Sequence, residues 1–161
     1  MTIKVGDKIP SVTLKQLTPE GPKEITTDEL LRGKKVVLLA VPGAFTPACS
    51  QRHLPGYVDK ATDIRGKGVD EIACVAVNDA FVMGAWGKEQ KTEGKVSMLA
   101  DGSGDFARAL GLELDLTKMG LGIRSKRYSM LVDNGVVKSL NLEQQPGQVD
   151  TSSAETMLKA L

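Results

Sequence analysis

The stretch Lys35-Val-Val-Leu-Leu-Ala-Val-Pro-Gly-Ala-Phe-Thr-Pro-Ala-Cys-Ser50 decides the fold. Its first half, Lys35 to Val41, is an unbroken apolar run, which suits a central strand covered on both faces. A Pro/Gly loop follows. Thr46 is a good N-cap and Pro47 is favoured at the first helical position, so a helix is expected from about Pro47 to Gly66. Pro55 should kink it by removing a backbone donor and clashing with the previous turn. A strand that ends where a helix begins marks the usual ligand position of an open α/β sheet.

The pattern repeats outward from this unit. Glu71 to Val77 and Val96 to Ala100 read as further buried strands, and the helical segments Asp79–Lys91 and Asp105–Leu110 follow them. In the first of these helices Phe81, Val82, Ala85 and Trp86 fall on one side, with Phe81 and Trp86 expected in the core. Before the central strand, Val12–Leu17 and Lys23–Thr26 flank the turn signal Thr18–Pro22 and predict a hairpin. Thr26 to Glu29 fits a capping box opening a short helix that Gly33 ends. Near the C-terminus, Tyr128–Val132 and Val136–Leu140 flank Asp133-Asn-Gly135, a strong hairpin signal that adds antiparallel edge strands. Ser152 to Glu155 is another capping box, opening a last helix. The fold class is therefore α/β: a mixed central sheet with helices on both faces and an N-terminal β-hairpin, matching a thioredoxin-like fold as one domain over residues 1–161.

Composition narrows the function. The 161 residues carry a formal charge of +1, with 41% hydrophobic and 25% charged residues. Such a chain has apolar surface to bury, which argues against disorder, and no basic excess for nucleic acid. The longest apolar run is too short to span a bilayer, so no membrane association is expected. Met1 to Asp7 has neither an apolar h-region nor an Arg/Ser-rich presequence pattern, and a cytoplasmic protein is expected. Two cysteines, Cys49 and Cys74, and one histidine, His53, are too few for a disulfide framework or a structural zinc site.

The helix start carries the chemistry. The backbone N–H groups of Ala48 and Cys49 lack helical acceptors there and can cradle an anion or a polar oxygen. A thiol in that position sees the positive end of the helix dipole, which favours the thiolate. Where a Cys-x-x-Cys pair would sit, the chain reads Thr46-Pro-Ala-Cys49. A hydroxyl replaces the second sulfur, and the chemistry is that of a single thiol.

Pro42-x-x-x-Thr46-x-x-Cys49 resembles the active-site signature of the peroxiredoxins. The wider Pro42–Ser50 segment, with Val75–Met83 and Lys126–Met130, is similar to their type II, or atypical, subfamily. The resemblance implies a thiol-specific peroxidase for hydrogen peroxide and organic hydroperoxides, serving antioxidant defence, with no metal or organic cofactor. It implies that Cys49 is the peroxidatic nucleophile, that Thr46 orients the peroxide and that Pro42 shields the sulfur. The Ala48 and Cys49 N–H groups and Gly43 would contact the substrate. Arg127, placed in its strand by its spacing to Asp133, would stabilise the thiolate and polarise the O–O bond, with Arg124 a nearby competitor. A homodimer is implied as well.

The chain departs from the subfamily in one respect. Atypical members often carry a resolving cysteine near the C-terminus, and Val149–Ser153 has none. Cys74 alternates with Ile72 and Ala76 on a buried strand and reads as a small core residue, the other reading being a resolving role after local unfolding. The expected reductant is external, glutathione with glutaredoxin first and thioredoxin second. His53 lies four residues past Cys49 on the same helix face, open to a Cys–His dyad or a structural role. Met119-Gly-Leu-Gly122 reads either as an apolar rim for alkyl peroxides or as a plain loop. The alternative function is a redox sensor or thioredoxin-like binding module without turnover.

Overall fold

The computed structural model describes residues 2–161. β1 (Thr13–Thr18) and β2 (Gly21–Thr26) form the N-terminal hairpin, paired through to Thr18↔Gly21, so the tip is tighter than the Thr18–Pro22 turn expected. The capping box at α1 (Thr27–Leu31) is present: the Thr26 hydroxyl accepts from Glu29 N–H and the Glu29 carboxylate accepts from Thr26 N–H. β3 (Lys35–Val41) follows, buried from Val36 onward. The chain continues through α2 (Leu54–Asp59), α3 (Ala61–Arg65), β4 (Glu71–Ala76), α4 (Ala80–Glu89), β5 (Ser97–Ala100) and α5 (Asp105–Leu110). It closes with β6 (Glu113–Leu116), β7 (Gly122–Ser125), β8 (Tyr128–Asp133), β9 (Val136–Leu142) and α6 (Ala154–Ala160).

The main sheet has the order β2-β1-β5-β4-β3-β8-β9. β3, β4 and β5 are parallel, while β8 runs antiparallel beside β3, β9 beside β8, and β1 beside β5. The apolar run of β3 is explained by its place between β4 and β8. Val37, Leu39 and Val41 face one core with Cys74, Tyr57, Trp86 and Met157, under α2, α4 and α6. Val36, Leu38 and Ala40 face the other with Leu30, Leu31, Phe106 and Leu110, under α1 and α5. At the turn between β8 and β9, Asn134 and Gly135 take φ of 48° and 81°, the left-handed pair a two-residue hairpin requires.

Several expectations are corrected. The helix from Pro47 runs to Asp59 and is not regular throughout. Cys49–His53 is a π-helical turn in which Leu54 N–H bonds the Cys49 carbonyl, and a break falls at Lys60. Pro55, which has no N–H to donate, follows directly on this π-helical turn, where the regular hydrogen-bond ladder is already broken. β8 is interior, and only β9 forms that edge of the sheet. The separate hairpin β6–β7 is not among the expected elements, although Glu113-Leu-Asp-Leu116 alternates as a strand does. The core face of α4 is Ala80, Met83, Trp86 and Gly87, and Phe81 is 65% exposed. Ser153, not Ser152, caps α6, accepting from Thr156 N–H. Ser152 is buried and bonded to Glu143 instead.

Candidate active site

The site lies at the carboxyl end of β3. Ser50 N–H donates to the Thr46 carbonyl at 2.9 Å, so the helix begins where expected. The Thr46 hydroxyl, however, is turned toward the sulfur. It lies 2.8 Å from Cys49 Sγ and 2.7 Å from the Gly43 carbonyl, and its single proton can serve either acceptor. Gly43 works through its carbonyl and its small size. A Cβ there would sit 2.9 Å from Arg124 Nη1 and 3.3 Å from Thr46 Cγ2.

Arg127 comes from the opposite side. It precedes β8 by one residue rather than lying in the strand. The pairing Ala40↔Tyr128 puts it beside the end of β3. Its Nη2 donates to Cys49 Sγ at 3.1 Å, its Nε to the Pro146 carbonyl at 3.0 Å, and its Nη1 bonds His53 Nδ1 at 2.9 Å. The residue is 2% exposed, and no ion pair among the described residues includes it. Of the groups its guanidinium touches, only the sulfur can carry negative charge. A buried cation needs such a partner. Arg124, the competitor, lies against the cysteine loop but not on the sulfur: its Nε donates to the Leu121 carbonyl at 2.8 Å and its Nη1 to the Pro42 carbonyl at 3.5 Å.

His53 faces the arginine, not the sulfur. Burial, and then the Arg127 charge, push its pKa down from 6.5 to about 3. The ring is therefore neutral at physiological pH. Nδ1 accepts from Arg127, which leaves the proton on Nε2 to donate to the Ser152 carbonyl at 3.1 Å. The Cys–His dyad is not formed, and the histidine holds the arginine. Tyr57 donates to the same Ser152 carbonyl at 2.7 Å. Ser152 and Pro146 sit in an irregular segment, 99 positions from His53 and 19 from Arg127, so no local pattern in the sequence announces them. Trp86 is also more than core filler: its Nε1 donates to Ser50 Oγ at 2.9 Å and fastens α4 beside Cys49.

Cys49 is fully buried beneath a cavity of about 380 Å³. Pro42, Thr46, Ala48 and Arg127 line it, together with the apolar side chains of Leu116, Met119, Leu121 and Pro146. Met119 and Leu121 thus take the rim position, with Met119 72% exposed. Cys74 is far less available. It pairs with Leu39 in mid-sheet, is fully buried, and its thiol is pushed above the ordinary value by burial and then by Cys49. Both cysteines are free.

The redoxin family matches residues 4–158 of this chain. Peroxiredoxin-2E, chloroplastic, of Arabidopsis thaliana is 55% identical over 99% of the chain and 70% of its own length. Peroxiredoxin-2D of the same plant is 48% identical over 99% of the chain and 98% of its own length. The chain belongs to the peroxiredoxin family, in its type II subfamily. As a peroxiredoxin it is a thiol-dependent peroxidase, an oxidoreductase of antioxidant function. Its backbone matches the crystal structure of reduced Prx3 in complex with hydrogen peroxide from Vibrio vulnificus, with a TM-score of 0.94, 54% identity and 99% of each chain covered. The thioredoxin-like fold of this peroxiredoxin is thus the one its residues imply.

Proposed function

We propose that this peroxiredoxin reduces hydrogen peroxide and organic hydroperoxides through a sulfenic acid on Cys49, and that a thiol from outside the chain recycles it. The observation that carries the reading is the convergence of Arg127 Nη2 and the Thr46 hydroxyl on Cys49 Sγ, at 3.1 Å and 2.8 Å. The sulfur attacks the near oxygen of the peroxide. An S–O bond forms, the O–O bond breaks, and the far oxygen leaves as water or an alcohol after taking a proton. Negative charge grows on that leaving oxygen. Donors fixed around it in a water-poor site lower the barrier. Arg127, Thr46 and the N–H groups of Ala48 and Cys49 are those donors, and Pro42 closes the sulfur from solvent. The apolar walls made by Leu116, Met119 and Leu121 suit an alkyl substituent.

Cys74 is a core residue in this reading. A disulfide with Cys49 would have to form inside the packed core, where both thiols are fully buried. One external thiol instead condenses with the sulfenic acid, releasing water and leaving a mixed disulfide. A second thiol then displaces the first, so two thiols are oxidised for each peroxide reduced. Glutathione with glutaredoxin is the first choice of reductant and thioredoxin the second; the homodimer rests on the family resemblance. NADPH-coupled turnover tests this. Cys74→Ser should turn over with glutathione and glutaredoxin as the parent does, and a collapse of turnover in that variant would overturn the external-thiol route.

A further inference from the structure

Residues 143–153 form an irregular segment between β9 and α6, yet they touch Arg127 at two points and reach it at a third through His53. Glu143 N–H donates to the Arg127 carbonyl at 3.0 Å. The Pro146 carbonyl accepts from Arg127 Nε at 3.0 Å. The Ser152 carbonyl accepts from His53 Nε2, whose Nδ1 accepts from Arg127 Nη1. A loop without regular structure holds such positions only where something ties its ends together.

One carboxylate makes that tie. Glu143 is 8% exposed, and its Oε2 accepts from Asp150 N–H at 2.7 Å, Ser152 N–H at 2.8 Å and the Ser152 hydroxyl at 2.6 Å. The hydrogen bonds close a ring from the Arg127 backbone through Glu143, Ser152 and His53 back to the Arg127 guanidinium. Burial pushes the Glu143 carboxyl up, but the bonds from Ser152 and Asp150 outweigh it and hold the group below its ordinary value. The ring is therefore closed by a charged acceptor, the stronger kind.

We propose that Glu143 is a positioning residue of the peroxidase site, acting through Ser152 and His53 to hold the Arg127 guanidinium on the Cys49 sulfur. The inference rests on the role given to Arg127 above. Glu143 touches neither sulfur nor substrate. Without its charge the loop ends separate, the Ser152 carbonyl drifts, and the histidine no longer fixes the arginine.

A double-mutant cycle tests this, because a residue acting only through Arg127 has nothing left to act on once Arg127 is changed. The readout is the second-order rate of Cys49 oxidation by hydrogen peroxide in a stopped-flow experiment. Glu143→Gln should slow oxidation about tenfold, the scale of one lost charged hydrogen bond, while near-ultraviolet dichroism stays native. Arg127→Lys should slow it more, and the double variant should match Arg127→Lys alone. An unchanged rate in Glu143→Gln, or losses that multiply in the double variant, would overturn the proposal. An unchanged rate in Arg127→Lys would overturn the role of the arginine itself and this inference with it. Should Glu143→Gln not fold, Ser152→Ala enters the same cycle. It removes one of the three bonds and should give a smaller loss that also vanishes in the Arg127→Lys background.

Discussion

Arg127 Nη2 lies 3.1 Å from Cys49 Sγ across 78 residues of chain. The sheet makes the meeting geometric. β3 ends just before the cysteine loop, β8 begins just after the arginine, and the two strands pair antiparallel with Ala40 opposite Tyr128. Arg127→Gln removes the charge and, being two bonds shorter, the donor that reaches the sulfur. It should lower the rate of Cys49 oxidation by roughly 10²–10³, as losing a donor to developing charge does. Stopped-flow fluorescence of Trp86, bonded beside the cysteine, measures it. A rate close to the parent's would show the contact to be structural only.

Cys74 should matter to the core and not to the chemistry. Cys74→Ser places a hydroxyl in a fully buried mid-strand site. Unfolding stability should fall by ~1–3 kcal/mol from the desolvated group. Urea titration checks the loss, and a variant as stable as the parent would argue that the site is not the dry core described.

His53 gives the fold an acid sensitivity of known sign. Its folded pKa of about 3 lies below the ordinary 6.5. Between those values the unfolded chain binds a proton that the folded chain refuses, so stability falls as pH drops below 6.5 and the loss levels off below 3. Glu143, held below its ordinary value of 4.5, adds a loss in the same direction only at more acid pH. From about pH 7 to about pH 5 the parent should therefore lose about 2 kcal/mol more than His53→Gln. Denaturant titrations at the two values measure this. Parallel losses in the two proteins would show that the histidine is not buried neutral.

The sequence was legible where the signal is local. β3 and β4 are apolar runs because both faces are covered, and Pro42, Thr46 and Cys49 fall within one loop and one helix turn, so spacing alone groups them. Arg127 against Arg124 was harder, since either can reach the carboxyl end of β3 until the β3–β8 register is known. The buried face of α4 is rotated by about one residue from the expected stripe. Phe81, Val82, Ala85 and Trp86 make a plausible stripe, but the Asp79 cap on Val82 N–H and the Trp86 bond to Ser50 set the helix so that Met83 goes in and Phe81 out. His53, Arg127 and the segment that carries Glu143 and Ser152 form one network from three distant parts of the chain, and no pattern within any of them shows it. In the β6–β7 hairpin, Glu113-Leu-Asp-Leu116 does alternate, but each strand has only 4 residues and Gly122–Ser125 has a single large apolar side chain, so the pairing has little local signal.

The account turns on one working sulfur per chain. The intact mass of the reduced protein after one equivalent of hydrogen peroxide, followed by peptide mapping, tests that most directly. One added oxygen on Cys49, with Cys74 unmodified, is the expected result. A loss of two hydrogens with a peptide joining Cys49 to Cys74 would contradict it.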